Sequence, residues 1–446
     1  MQLVDDFDIQ PDELAFTDPL TGIANHRRFQ KRLQHLLEER REDPIPFTVA
    51  LVDIDGFKPI NDLFGKAAGD AILKQIGLRL GALVGENATV ARVGGDEFGL
   101  ILPMMFHEVS ASDFGRTLTE VLSAPFDVGE RTARLACSVG LSVFSDPDDT
   151  VETLTGKAEA ALYTSKKNGR GNSVVYTYEM EEAARKNAII EQALRRAVSA
   201  GEIEPHFQPI VDLKSRETVG FECLARWVDR DLGFVSPAVF IPIAEERGII
   251  TAMSKLVLRK AAEAAAQWPE EMFLAFNLSP SQLVDANTGL QILSILNKSG
   301  LAPQRLEIEI TETGVMTDPA SATKIIEDLR SAGIRVSLDD FGTGQSSLGR
   351  LRDIKFDKLK IDRAFIAELL SDRPSEHIVK AILAMCDGLG MDVVAEGIEE
   401  EAIVSRLVEF GCTNGQGYYF GKPVDEMDTL GYLRDTYRGA LRVKAS

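Results

Sequence analysis

The feature that most limits the fold of this 446-residue chain is a series of polar residues at the ends of apolar runs after residue 205. The runs are FECLAR, LAFNLS, LEIEITET, RVSLDD, KLKID, DVVAEGIEE and NGQGYYF, which carry Glu222, Asn277, Glu309, Asp339, Asp340, Lys360, Glu396 and Gln416. Helical segments between the runs, over about 245 residues, are typical of a (β/α)₈ barrel, whose functional side chains gather at the C-terminal ends of its strands. Because several acids at one rim repel one another, the pattern predicts a divalent-metal site.

Composition narrows the class of protein and the kind of metal. With 44% hydrophobic and 26% charged residues, the chain has the balance of a globular protein of two or three domains. It has no apolar run of about 18 residues, and its acidic start is unlike a signal peptide, so we expect a cytoplasmic protein without a membrane span. The net charge of −20 argues against nucleic acid as a partner. Separated cysteines and histidines argue against zinc, whereas oxygen ligands favour magnesium, manganese or calcium.

The N-terminal part of the chain follows a different pattern. Residues 14–175 mix strands with helices, one of them over about 62–83, without regular alternation, which predicts an α+β domain after an acidic tail at 1–13. Residues 176–200 are rich in alanine, glutamate and arginine and end at a glycine, which predicts a connecting helix. The barrel is then expected over 201–446.

Three carboxylates form a second candidate site, in the α+β domain. Asp53 ends the strand FTVALVDID, and Asp96 and Glu97 lie in a predicted hairpin turn between TVARV and FGLIL. If these strands are neighbours, the three acids meet at one edge of the sheet and are suited to hold metals for phosphoryl or nucleotidyl transfer. Solvated acids at a turn are the alternative interpretation.

Four segments of this domain, DPLTGIANHRRF, DIDGFKPINDLFGKAAGDAIL, RVGGDEFGLIL and AEAALYTSKKNGRG, together resemble the GGDEF family of diguanylate cyclases. The resemblance implies an α+β palm-like nucleotide cyclase fold and the joining of two GTP molecules into cyclic di-GMP. It assigns Mg²⁺ to Asp53, Asp96 and the Ile54 carbonyl, with Glu97 assisting metal binding or deprotonation. It also implies that Asn61 and Asp70 bind guanine and that Lys58 and Lys166 bind phosphates. Arg92 would support the site. The family's inhibitory RxxD motif is replaced here by Gly85–Ala88.

Segments throughout residues 201–440 resemble the EAL family of cyclic-di-GMP phosphodiesterases: FQPIVDL, GFECLARW, FIPIAEERGII, FNLSPSQL, LEIEITET, SLDDFGTGQSSL, KLKID, VVAEGIE and GCTNGQGYYFGKP. The resemblance implies a TIM-like (β/α)₈ barrel that hydrolyses cyclic di-GMP to linear pGpG with two Mg²⁺ or Mn²⁺ ions. It makes metal ligands of Glu222, Asn277, Glu309, Asp339, Asp340 and Glu396.

The same resemblance places Asp339 and Asp340 near the attacking water and implies that Lys360 orients that water. Arg226 would contact a substrate phosphate, and Gln416 would support the substrate-binding site. The anchoring of the loop after Asp340 falls to Glu312 and Glu399. In that loop Gln345 replaces an aromatic residue of the family, which puts regulation rather than chemistry in question.

Three functions remain as alternatives. The first is a phosphodiesterase whose GGDEF domain binds GTP as a regulator, and the second is a bifunctional enzyme that also synthesises cyclic di-GMP. The third is a non-catalytic receptor for cyclic di-GMP, which the complete set of rim residues disfavours. Cyclic di-GMP and GTP are the expected ligands, and both resemblances imply a homodimer.

Overall fold

The computed structural model describes residues 15–42, 45–103, 108–129, 131–341 and 354–433. Gln345 and the side chain of Asp340 lie outside the described part, so the predictions that concern them stay predictions. The chain divides into two compact units, Met1–Asn187 and Ala188–Ser446. In the described ranges, none of the helices is long and apolar enough to cross a membrane.

The first unit is a six-stranded sheet with helices on both faces, as expected for an α+β domain. Its strands are β1 Ala24–Asn25, β2 Thr48–Asp55, β3 Thr89–Arg92, β4 Glu97–Leu102, β5 Phe126–Val128, β6 Arg131–Ala133, β7 Ala136–Val143 and β8 Ser173–Val175, of which β5 and β6 form a separate hairpin. Its helices are α1 His26–Glu39, α2 Phe57–Phe64, α3 Lys66–Val84, α4 Glu108–Ser123 and α5 Val151–Lys167. The strand order β1-β3-β4-β2-β7-β8 places β2 inside the sheet.

Strand β2 is buried on both faces because its alternate residues enter two different cores. Ala50 and Val52 pack in the core that includes residues of α3 and α4, whereas Val49 and Leu51 pack in the core that includes residues of α1 and α5. The helix expected over 62–83 is two helices in the structure. They meet at Gly65, whose φ of 81° is in the left-handed region that favours glycine, so the chain turns there instead of continuing one helix.

The second unit begins within α6, Tyr178–Ala200, which occupies most of the predicted connecting segment. Its strands are β9 Ile203–Asp212, β10 Thr218–Asp229, β11 Gly233–Val235, β12 Phe273–Asn277, β13 Leu306–Thr311, β14 Arg335–Phe341, β15 Lys358–Ile361, β16 Asp392–Ala395 and β17 Asn414–Gln416. Its further helices are α7 Pro237–Glu246, α8 Ile250–Ala265, α9 Thr288–Ser299, α10 Glu312–Thr317, α11 Pro319–Ser331, α12 Arg363–Ala367, α13 Arg373–Leu389 and α14 Glu401–Glu409.

Eight of these strands close into the predicted barrel, and β11 extends β10 as a hairpin. Seven run parallel, from β10 through β12 to β17, but β9 is antiparallel to both of its neighbours, β10 and β17. The cause is the short connection between β9 and β10, since a tight turn can join antiparallel strands but not parallel ones. The barrel interior contains an apolar layer formed by Ile210, Phe273, Ala275 and Val394. Asn277 and Gln416 of the rim end their strands, Glu309, Asp339 and Lys360 lie near the C-terminal ends of theirs, and Glu222 lies within the longer β10.

Candidate active sites

The parallel register brings the predicted polar residues of the barrel to one rim. Asn277 lies level with Glu309, and Thr311 lies level with Asp339, so successive strands end in polar groups at similar heights. The side chains meet as well, because Asn277 Nδ2 donates a hydrogen bond of 2.7 Å to Glu222 Oε1. The strand-end pattern in the sequence therefore predicted a true cluster of side chains.

Lys360 lies at the centre of this cluster. Its Nζ is 2.6 Å from Glu396 Oε1, 2.9 Å from Glu309 Oε2, 3.6 Å from Asp339 Oδ2 and 3.7 Å from Glu222 Oε2. The lysine side chain is only 1% exposed, so water screens these interactions weakly. Four carboxylates share this one ammonium group, which leaves an excess of negative charge at the rim.

The excess charge is visible in the pKa values of the acids. Burial, together with the charges of Glu222 and Asp339, raises the pKa of Glu309 well above its usual range despite the opposing effect of Lys360. Burial in the same way raises the pKa of Glu396 to about 8. For Glu222 the burial effect is outweighed by Lys360 and by hydrogen bonds from Gln416 and Asn277, so its pKa is lowered. One acid of the cluster is thus held ionised while others tend to keep a proton.

The donor set fits a divalent cation. Glu309 Oε1 is buried and has no hydrogen-bond partner among the described residues, so a buried carboxylate oxygen is left for another ligand. Carboxylate and amide oxygens are the ligands that Mg²⁺ and Mn²⁺ take in proteins. In the described part of the chain the acids contact the Lys360 ammonium and do not form a ready cluster of three metal-ligating side chains. A metal would therefore bind in competition with this ammonium group.

Two buried glutamines, Gln416 and Gln208, form a hydrogen-bonded chain that ends at the Glu222 carboxylate. Gln416 Nε2 donates to Glu222 Oε2 at 2.6 Å and to Gln208 Oε1 at 3.1 Å, and Gln208 Nε2 donates to the Gly421 carbonyl. Both side chains are buried. A role was predicted for Gln416 but not for Gln208, although FQPIVDL places a polar residue inside an apolar run.

A cavity of about 280 Å³ opens at this rim. Its wall is formed by Gln208, Glu222, Leu224, Asp339, Arg363, Glu396, Gly397, Glu399, Gln416, Gly417 and Tyr418. Arg363 is the one positively charged side chain among the described residues of this wall. Arg226 does not belong to the wall. Arg226 is half-buried and donates to the adjacent Ala225 carbonyl at 2.9 Å. Leu224, Arg363 and Tyr418 are wall residues for which the sequence predicted no role.

The two predicted loop anchors occupy different positions. Glu399 belongs to the cavity wall. Glu312 begins α10 and has a buried Oε2 without a hydrogen-bond partner among the described residues. The loop that both were expected to anchor begins at residue 342, outside the described residues, so their anchoring role stays a prediction.

In the first unit the hairpin acids approach Asp53 as expected. Strands β2 and β4 are antiparallel neighbours, and Asp53 lies directly opposite Glu97. The Ile54 amide donates to the Asp96 carbonyl at 3.3 Å, so Asp96 is held beside the same strand. Lys166, from α5, places its Nζ 2.7 Å from Asp53 Oδ2. The structure thus places Asp53 opposite Glu97 and in contact with one of the two candidate phosphate-binding lysines, and it holds the backbone of Asp96 beside the same strand.

The residues assigned to guanine are also brought together, on α2 and α3. Gly69 leaves room for the Asn61 side chain, since a Cβ at Gly69 would collide with Asn61 Oδ1, and Asp70 follows Gly69 directly. Lys58 is exposed on α2. Arg92 supports the hairpin turn by donating to the Gly95 carbonyl at 2.6 Å and 3.1 Å.

Comparisons with known proteins match one family to each of the two units. A family model described as "Diguanylate cyclase, GGDEF domain" matches residues 15–172, and one described as "EAL domain" matches residues 191–423. An uncharacterized signaling protein of Caulobacter vibrioides is 36% identical over 411 residues, which are 92% of this chain and 51% of that protein. The bifunctional diguanylate cyclase/cyclic di-GMP phosphodiesterase MucR of Pseudomonas aeruginosa is 33% identical over 416 residues, 92% of this chain and 61% of that protein.

A solved structure resembles the second half of the chain. The PaMucR phosphodiesterase in complex with c-di-GMP is 34% identical, has a TM-score of 0.52, and covers 54% of this chain and 99% of that one. The chain spans 51% and 61% of the lengths of the two curated relatives described above. With one family model matching each unit, the chain belongs to the family of proteins that join a GGDEF domain to an EAL domain.

Proposed function

We propose that the barrel hydrolyses cyclic di-GMP to linear pGpG and that the GGDEF domain binds GTP as a regulator. The observation that carries the proposal is the set of four carboxylates around Lys360, beside a cavity at the barrel rim. The name and bound ligand of the PaMucR structure support the same substrate. Hydrolysis adds one water to a phosphodiester, breaks the bond between phosphorus and a 3′-oxygen, and leaves a 5′-phosphate.

Mg²⁺ or Mn²⁺, when bound, would activate water and stabilise charge on the phosphate. Glu222, Asn277, Glu309, Asp339, Asp340 and Glu396 are the proposed ligands. Lys360 is the group that orients the attacking water, because its ammonium can donate hydrogen bonds to water and to carboxylates at once. Gln416 and Asn277 hold Glu222 ionised and fixed, since both donate hydrogen bonds to it.

The pocket wall provides the proposed substrate contacts. Leu224 and Tyr418 offer apolar and aromatic surface for a guanine base, and Arg363 offers a positive charge for a phosphate. Arg226 remains the residue that the family resemblance assigns to phosphate.

A second function, synthesis of cyclic di-GMP, is favoured by one observation in the first unit. Asp53 of β2 lies directly opposite Glu97 of the neighbouring strand β4, and its carboxylate contacts Lys166. Two acids and a candidate phosphate-binding cation therefore lie side by side. The name of MucR, a bifunctional relative, supports this alternative. Synthesis requires two such domains to face each other, which is one reason to propose a homodimer. The proposed cytoplasmic location is consistent with GTP as a ligand.

Product chromatography after separate incubation with cyclic di-GMP and with GTP tests these functions. We expect the wild type to convert cyclic di-GMP to pGpG with Mg²⁺ or Mn²⁺, and Glu222→Ala to abolish the conversion. Undiminished hydrolysis in Glu222→Ala would refute the site, and binding without hydrolysis by the wild type would favour a receptor. Formation of cyclic di-GMP from GTP, lost in Asp96→Ala, would establish the bifunctional alternative. Calorimetry that detects no GTP binding would exclude both proposed roles of the GGDEF domain.

A further inference from the structure

A second acid–lysine pair lies inside the barrel, below the rim. Lys358 Nζ is 2.7 Å from Glu307 Oε2, and the two side chains are 3% and 1% exposed. We call Glu307 and Lys358 the lower pair, and Glu309 with Lys360 the upper pair. Neither residue of the lower pair lines the rim cavity or has a role in the family resemblance stated above.

The two pairs are stacked because they come from the same two strands. Glu307 and Glu309 are alternate residues of β13, and Lys358 and Lys360 are alternate residues of β15, so each set faces the same side of its strand. Alternate residues of a strand are about 6.6 Å apart along it. This step along the strands is comparable with the length of a lysine side chain, so the carboxylate of the other pair is the nearest further anion on β13 for each ammonium group.

Two further side chains, Phe273 and Arg335, lie close to the lower pair. The Lys358 ammonium lies 4.2 Å from the centre of the Phe273 ring, and Arg335 lies over the same ring at 4.7 Å. Arg335 Nε is 3.9 Å from Glu307, too far for a hydrogen bond. Glu307 Oε1 has no hydrogen-bond partner in the described part of the chain. Lys358 is therefore the group that neutralises Glu307 at close range.

We propose that the lower pair positions Lys360. By pairing with Glu307 at closer range than Arg335 does, Lys358 neutralises a buried carboxylate that would otherwise draw the Lys360 ammonium down, away from the rim. An unpaired buried carboxylate attracts any cation within reach, because the interior screens charge poorly. Lys360 then stays directed toward Glu396 and the other rim acids. The expected change in kcat rests on the proposed hydrolysis, whereas the expected position of the Lys360 ammonium group does not.

The test uses Lys358→Met and the double variant Glu307→Gln/Lys358→Met in the full chain. In Lys358→Met we expect kcat to fall about a hundredfold, since Lys360 is displaced by more than an ångström. Binding of Mn²⁺ should become tighter by about tenfold, because the rim acids lose a competing positive charge. In the double variant no carboxylate competes for Lys360, so kcat and the Kd for Mn²⁺ should both return to within about threefold of wild type.

Two outcomes would overturn the proposal. One is a Lys358→Met variant with wild-type kcat and wild-type Mn²⁺ affinity. The other is a folded double variant that is as impaired as the single variant, which would mean that the pair acts by packing. If Lys358→Met does not fold, a folded double variant with impaired kcat still overturns the proposal. Lys380→Met, which breaks an exposed pair with Glu376, is the control and should change neither quantity.

Calorimetric titration with Mn²⁺ separates this inference from the proposed function. If the wild type does not hydrolyse cyclic di-GMP, the proposed function fails, yet the tighter binding of Mn²⁺ in the single variant and its reversal in the double variant still test the position of Lys360. If the wild type hydrolyses the substrate and the affinities do not change, the inference alone fails.

Discussion

Gln416 and Glu222 are joined by a hydrogen bond of 2.6 Å that links the last strand of the barrel to one of its first. The same amide group of Gln416 holds Gln208 at 3.1 Å. Because one nitrogen donates to both partners, the position of Glu222 depends on a side chain of β17 that contacts no other rim acid in the described hydrogen-bond network. Closure of the barrel is thus coupled directly to the orientation of a proposed metal ligand.

Gln416→Met should weaken the site without removing a ligand. Methionine has a similar length but cannot donate a hydrogen bond, so Glu222 would lose a fixed orientation and part of the effect that lowers its pKa. Loss of such a supporting contact typically reduces metal affinity or activity by about 10- to 100-fold. Steady-state hydrolysis of cyclic di-GMP and Mn²⁺ titration would measure this. Gln34→Met, at an exposed position of α1, is the control, and an unchanged Mn²⁺ affinity in Gln416→Met would contradict the supporting role.

Lys360→Met should make the folded protein more dependent on divalent metal. Removing the cation from four neighbouring carboxylates leaves uncompensated buried charge, which typically costs about 3–5 kcal/mol of stability. We expect a lower Tm without metal, and a larger rise in Tm on addition of Mn²⁺ than in the wild type, because the metal replaces the lost positive charge. Thermal unfolding with EDTA and with Mn²⁺ measures both. A smaller metal-induced rise than in the wild type would show that the acids do not form a cation site.

The rim could be predicted from the sequence, whereas much of its surroundings could not. Glu222, Asn277 and Glu309 end apolar runs, and in parallel strands that position alone places side chains on one rim. The same argument does not identify Gln208, because β9 is antiparallel and Gln208 lies inside its apolar run and not at the end of it. Arg363 lies at the start of a helix beyond its strand, and its approach to the cavity depends on which loops fold together.

The pairing of Glu307 with Lys358 could not be predicted from the sequence for a different reason. Both residues were visible in LEIEITET and KLKID as charged residues at alternate positions. Their period of two predicts that they face the same side as Glu309 and Lys360. Their pairing depends on the stagger between strands that are not hydrogen-bonded neighbours, since β14 lies between β13 and β15. That stagger is a property of the closed barrel and not of either segment.

Gly140→Ala should destabilise the first unit. A Cβ at this position of β7 would collide with the Ala158 carbonyl and the Leu162 amide of α5, which also carries Lys166. Overpacking of this kind typically costs about 1–3 kcal/mol, and backbone atoms cannot turn aside as a side chain can. Gly156→Ala, on the same helix with open space around it, should be neutral or stabilising by up to about 1 kcal/mol. Urea unfolding of both variants would decide, and equal stabilities would refute the close strand–helix contact.

Asp18 should stabilise the GGDEF hairpin in a pH-dependent way. Burial alone would raise the pKa of Asp18, but hydrogen bonds from Thr21 and the charge of Arg92 lower it below its usual value. A carboxyl whose pKa is lowered on folding stabilises the protein fully above its unfolded pKa, and this contribution disappears as the pH falls through the folded pKa. Asp18→Asn should therefore be less stable than wild type at about pH 6 and nearly equal to it at a pH below the lowered pKa of Asp18. Urea unfolding at both pH values measures the difference, and a difference that persists at the lower pH would exclude this cause.

Arg363→Ala should raise the KM for cyclic di-GMP more than it lowers kcat. Arg363 belongs to the wall of the rim cavity, and none of the described carboxylates pairs with it, so its charge is available to a phosphate. Loss of a charged hydrogen bond to substrate typically costs about 1.5–3 kcal/mol, or roughly 10- to 100-fold in binding. Arg363→Lys should recover part of this loss, because it keeps the charge but not the planar donor group. Arg226→Ala provides the comparison, and Arg259→Ala, at an exposed position of α8, is the control. If Arg226→Ala raises KM while Arg363→Ala does not, the substrate phosphate is held outside the cavity wall seen here.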